Sequence, residues 1–129
     1  MRKSVVAAML ASLALISVPG AVLAHTKLVS STPAANATVP AANARSINLV
    51  FNEKVIASTL KVELVMTGMP GMKDHAPMTV PFSSMMAKDG KSIMLMPKRA
   101  LAAGTYQVSW SAAGADTHRM GSQFSFTVR

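Results

Sequence analysis

The chain has no cysteine. No disulfide can staple it, so packing alone must hold the fold, and the only sulfur it can offer a metal is the thioether of its 11 methionines. Aromatics are scarce: four Phe, one Tyr and one Trp. Acidic side chains are few, five against 13 Lys and Arg. The basic residues are nevertheless scattered (Lys27, Arg45, Lys54, Lys61, Lys88, Lys91, Lys98, Arg99), and no run of five occurs. A nucleic-acid-binding stripe requires clustered charge, so nucleic acid is excluded as a partner. The basic excess instead serves solubility and attraction to an anionic membrane surface. Beyond residue 24 there is no internal repeat, no low-complexity tract and no long amphipathic helix.

The one long apolar run, Val5 to Val18, is broken only by Ser12 and Ser17 and is too short to span a bilayer comfortably. Arg2 and Lys3 precede it, and Pro19-Gly20 ends it. Small residues then occupy the minus-three and minus-one places of a cut after Ala24. This is the pattern of a cleavable secretory signal peptide. Residues 1–24 are expected to be removed on export, leaving residues 25–129 as one small domain with a modest core.

Within that domain, Pro33, Asn36, Pro40 and Asn43 mark loops around Ser30 to Ala44. Ile47, Leu49 and Phe51 alternate with polar or outward positions, as in a half-buried strand. The same alternation runs through Leu60, Val62, Leu64 and Met66, through Tyr106, Val108 and Trp110, and through Phe124, Phe126 and Val128. Met78 to Phe82 reads as short and extended, and Asp89-Gly90 as a tight turn into Ser92 to Met96. About seven short strands at regular spacing predict an all-β, antiparallel Greek-key sandwich or barrel. Met94 and Met96 share a strand face and are expected in the core, as is Trp110; Met85 and Met86 have no assigned role.

The second of these strands leads into Met66-Thr67-Gly68-Met69-Pro70-Gly71-Met72-Lys73-Asp74-His75-Ala76-Pro77-Met78. Methionine at a spacing of three often marks the buried side of a helix. Here Gly68, Pro70, Gly71 and Pro77 break any helix and disfavour a central strand. The segment is expected to be a surface loop carrying four exposed methionines and His75. Packing does not explain such a set, whereas a soft-metal site or a sticky partner surface would. Thioether sulfur favours Cu(I).

A second donor set depends on the expected cleavage. His25 would become the amino terminus, and its free amine and ring Nδ1 can close one chelate ring on a metal. Both must be unprotonated to bind, so binding releases protons and weakens as pH falls. The remaining histidine lies in Asp116-Thr117-His118. If that segment is extended, Asp116 and His118 point to one face and can share an ion. Nitrogen and oxygen donors of this kind suit Cu(II). The set requires the terminus to lie beside the turn before the last strand. Zinc would fit His25, Asp116 and His118 alone but leaves the methionines unexplained; copper accounts for both sets.

The sequence resembles the bacterial periplasmic copper-resistance family called CopC, or PcoC in its plasmid-borne form. The motifs that carry the resemblance are His25-Thr26-Lys27-Leu28 with Ser30-Ser31-Thr32-Pro33, then Leu49-Val50-Phe51-Asn52-Glu53 and the methionine loop. Ala103-Gly104-Thr105-Tyr106 with Val108 and Trp110, and Asp116-Thr117-His118, complete the set. The resemblance implies a cupredoxin-like β-sandwich that carries copper without catalysis. It implies Cu(II) held by the amine and ring of His25 with Asp116 and His118, and Cu(I) held by a subset of Met66, Met69, Met72, His75 and Met78. Two departures stand out: Thr26 replaces a common proline, and Arg119-Met120 replace a frequent Pro-Ile. Arg119 would weaken cation binding or donate a hydrogen bond to Asp116.

The expected function is therefore a periplasmic copper carrier or chaperone, not an enzyme. It would exchange copper with an inner-membrane copper transporter or another periplasmic copper protein. Two other readings compete with it. One is a histidine-brace copper oxygenase, against which Asp116 fills a position that oxygen chemistry needs open. The other is an interaction sandwich with no metal, its methionine loop a contact patch.

Overall fold

The computed structural model describes residues 25–72 and 76–129. The signal peptide expected over residues 1–24, and His75 of the methionine loop, lie outside the described residues.

Among the described residues, nine strands form two sheets. They are β1 (Leu28–Thr32), β2 (Thr38–Val39), β3 (Ile47–Phe51), β4 (Lys61–Gly68), β5 (Met78–Thr79), β6 (Phe82–Met86), β7 (Ser92–Pro97), β8 (Gly104–Ala113) and β9 (Arg119–Val128). One sheet has the order β1-β3-β7-β6 and the other β2-β9-β8-β4-β5. The chain changes sheet at each step from β1 to β4, after which β4–β5, β6–β7 and β8–β9 alternate between the sheets as pairs, the crossover pattern of a Greek-key sandwich. All pairings are antiparallel except that of β2 with the end of β9.

The alternation read from the sequence places the core. Ile47, Leu49 and Phe51 of β3 and Ile93 and Leu95 of β7 face inward from one sheet. Leu64, Val108, Trp110, Phe126 and Val128 meet them from the other. Each such fully buried aliphatic or aromatic side chain stabilises the fold by about 1.5–3 kcal/mol, which is how a cysteine-free domain of this size holds together. Trp110 packs edge-on against Phe51, with ring centroids 5.0 Å apart. Tyr106 donates its hydroxyl to the carbonyl of Ala102 at 2.7 Å, a tyrosine corner that ties the start of β8 to the preceding loop.

Three expectations are corrected. Residues 28–32 form strand β1 rather than belonging partly to a loop; as an edge strand it buries little, and a register shift between Leu28 and Ser30 hides its alternation. The extended segment after the methionine loop is two strands in different sheets. Met78–Thr79 pairs with β4, and after Pro81 the chain crosses to pair β6 with β7. Met94 is not core, because the inward residues of β7 are Ile93 and Leu95 and the pleat sends Met94 outward; Met96, only partly buried, shares that outer face.

Candidate metal centre

His25, Asp116 and His118 converge, although His25 and Asp116 are 91 positions apart in the chain. One ligand atom from each of the three lies within 4.8 Å of the other two. His25 Nδ1 is 3.0 Å from Asp116 Oδ2, and His118 Nδ1 is 3.7 Å from the same oxygen. The imidazole centroids are 5.6 Å apart. The Asp116 side chain is only 3% exposed, whereas both histidines are open to solvent. A buried carboxylate oxygen thus forms the floor between two accessible imidazoles.

The loop between β8 and β9 produces the Asp116–His118 half, and not by the extended geometry anticipated. It is a turn, in which Thr117 N–H donates to the Gly114 carbonyl at 2.9 Å. Thr117 adopts a left-handed conformation with φ of 62°. The other carboxylate oxygen, Asp116 Oδ1, accepts the His118 backbone N–H at 3.2 Å, the local bond by which Asp stabilises turns. Asp116 is therefore oriented before any ion arrives.

The His25 half is held by the loop after β3. Asn52 Nδ2 donates to the His25 carbonyl at 3.0 Å, and Asn52 Oδ1 accepts the Lys27 N–H at 2.9 Å. Asn52 N–H donates to the Lys27 carbonyl at 3.0 Å. Beneath these, the buried Thr26 donates its hydroxyl to Glu53 Oε1 at 3.0 Å, so the hydroxyl at the family's proline position has a partner. Gly114 closes against the same pair: a Cβ there would run into Glu53 Oε1 and lie 2.7 Å from Thr26 Oγ1. In the sequence Asn52 and Glu53 are only the end of a motif; their positioning role is visible only once β3 lies beside the terminal segment. Arg119 donates instead to the Thr59 carbonyl at 3.0 Å and the Ser111 hydroxyl at 2.7 Å. The hydrogen bond from Arg119 to Asp116 is not made.

The methionine set divides. Met66 is 6% exposed and belongs to the core, so the expectation of four exposed loop methionines is corrected to three. It lies in β4 just before a register shift at Gly68, opposite Tyr106 on one side and Met78 on the other. Met69, Met72 and Met78 are exposed. Met69 and Met72 exchange both backbone bonds, each at 2.9 Å. They flank Pro70-Gly71, with Gly71 at φ of 78°, as a type II turn requires at its third position. Directly opposed residues point to one side of a hairpin, so the turn brings the two thioethers to a common face.

Residues 28–129 match the CopC domain family. The chain is 43% identical over 106 residues to Copper resistance protein C of Xanthomonas campestris pv. juglandis, covering 82% of this chain and 81% of the relative. It is 39% identical over 107 residues to Copper resistance protein C of Escherichia coli, covering 83% of each. The structure superposes on PcoC, a copper resistance protein from Escherichia coli, with a TM-score of 0.73 and 39% identity, over 80% of this chain and 99% of that one. CopC from Methylosinus trichosporium OB3b superposes with a TM-score of 0.62 at 22% identity, over 81% of this chain and 93% of that one, and shows the shared cupredoxin-like sandwich alone. By domain, sequence and fold together, the chain belongs to the CopC family.

Proposed function

We propose that the protein is an exported, periplasmic copper carrier serving copper resistance or homeostasis, with Cu(II) and Cu(I) taken at separate sites. The observation that carries the reading is the convergence of His25, Asp116 and His118 to within 4.8 Å. Copper resistance is what the names of the relatives state, and one solved relative is described as methionine rich.

Cu(II) is held by His25, Asp116 and His118. Nδ1 is the ring nitrogen of His25 that faces Asp116, and it is also the nitrogen that can chelate together with a free terminal amine. Export with cleavage after Ala24 supplies that amine. The metal replaces the His25–Asp116 contact, and both imidazoles lie open for an incoming or departing ligand. Cu(I) is held by Met69, Met72 and Met78, with His75 and, after a side-chain shift out of the core, Met66. Exposed thioethers exchange one at a time, which suits hand-over to a membrane transporter or another periplasmic copper protein. A carrier fits better than an oxygenase, because the Asp116 carboxylate stands between the two imidazoles where a dioxygen ligand would need room.

The test is titration with Cu(I) and Cu(II) separately, starting from the intact mass of the exported protein. Trp110, the single tryptophan, lines a cleft with Thr26 next to His25, so quenching of its emission reports on the Cu(II) site. A mature chain starting at His25 that takes one equivalent of each ion independently supports the reading. One extra residue before His25 should abolish tight Cu(II) uptake, and Met69→Leu with Met72→Leu should abolish tight Cu(I) uptake only. Competition of both ions for a single stoichiometric site would overturn it.

A further inference from the structure

The outer face of the four-stranded sheet carries the residues that alternate with its core positions. In an antiparallel sheet with one solvated face, such positions are normally polar. Asn48, Ser83 and Ser92 conform; Val50, Met85, Met94 and Met96 do not. The register sets Met85 of β6 directly opposite Met94 of β7, with Met96 next along β7 on the same face. Asn48 of β3 flanks Met94 on the other side. Met85 is 64% exposed and Met94 39% exposed, so core packing does not account for them. Both line one small cleft of about 170 Å³, with Asn48.

We propose that Met85, Met94 and Met96 form a second soft-metal site, distinct from the methionine hairpin and on the other sheet. Directly opposed side chains have Cβ atoms about 5 Å apart. The unbranched methionine chain has three rotatable bonds, enough to turn neighbouring sulfurs onto one ion. The donors are neutral and soft, which selects Cu(I) or Ag(I) over harder divalent ions. Among the described residues no carboxylate lines the cleft; its hard side-chain donors are the Asn48 amide oxygen and the Ser92 hydroxyl. Unlike Met69 and Met72, which sit on a turn, these methionines project from paired strands, so the site needs only side-chain rotation. The site itself stands on this register; only its use in carrying copper rests on the proposed function.

The probe is Ag(I), titrated into the exported protein labelled with ¹³C at the methionine methyl groups and followed by NMR. The background variant is Met69→Leu with Met72→Leu and Met78→Leu. In it, the methyl signals of Met85, Met94 and Met96 are expected to shift together and saturate at one equivalent. Adding Met85→Leu and Met94→Leu, near-isosteric changes at exposed positions, should weaken that uptake at least tenfold with a folded, dispersed spectrum retained. Met85→Leu alone, at the most exposed of the three, should weaken it severalfold. Signals of Met85 and Met94 that stay in place at ten equivalents of Ag(I) would overturn the proposal, as would an unchanged Met96 shift after both replacements. The hairpin methyl signals of the unsubstituted protein report the proposed carrier site independently, so failure of one reading is not failure of the other.

Discussion

Asn52 touches no proposed metal ligand atom, yet it should set much of the Cu(II) affinity. Its amide makes two hydrogen bonds, to the His25 carbonyl at 3.0 Å and from the Lys27 N–H at 2.9 Å. These tie the terminal segment to the loop after β3 and keep the His25 ring against Asp116. Asn52→Ala removes both. Each is solvent-exposed, so the low end of the usual range applies, about 0.5–1 kcal/mol apiece. The loss of about 1–2 kcal/mol falls mainly on holding His25 in place, because the terminal segment can detach without unfolding the sandwich. Cu(II) affinity should drop by roughly 5- to 30-fold, with all proposed ligands still present. The assay is competition for Cu(II) against a chelator of known affinity, alongside thermal unfolding of the metal-free protein and Cu(I) titration of the same variant. Cu(I) affinity should not change, since the hairpin lies at the far end of β4. If Asn52→Ala binds Cu(II) within twofold of the unsubstituted protein while staying folded, the terminal segment is held by other contacts and the reasoning fails.

Gly114→Ala should destabilise the fold by about 1–3 kcal/mol, the usual cost of overpacking, because the new methyl group meets Glu53 Oε1 and Thr26 Oγ1. It should also lower Cu(II) affinity by displacing Thr26 beside His25, and chemical denaturation with a Cu(II) titration checks both. Burial raises the Tyr106 phenol above its ordinary value of 10.0. The folded state therefore holds this proton more tightly than the unfolded chain, and its contribution is complete below pH 10 and is lost as pH rises past that value. Tyr106→Phe should cost about 1 kcal/mol at neutral pH through the lost bond to Ala102, and should flatten the alkaline limb of a stability–pH curve.

The alternating strands and the donor types were legible along the chain because each is a local property. Alternation at Ile47, Leu49 and Phe51, or at Tyr106, Val108 and Trp110, identifies the buried face wherever a strand has one wet side. It failed for β1, an edge strand with little to bury, and for Met94, since every residue of Ser92 to Met96 except Ser92 is apolar and either face could have been the inner one. Met66 was read both as the last strand residue and as the first of the loop; the pairing of β4 with Tyr106 on β8 settles it as core.

By itself, then, the sequence determined which atoms are available: thioether and imidazole but no thiolate, on a chain patterned to fold as a sandwich. Only the tertiary structure decided which of them meet. The separation of 91 positions between His25 and Asp116 is closed by strand pairing and by Asn52, contacts that leave no periodic trace in either partner. The outward pair Met85 and Met94 likewise exists only as a register between two strands, because an antiparallel ladder, not the chain, makes opposed residues neighbours.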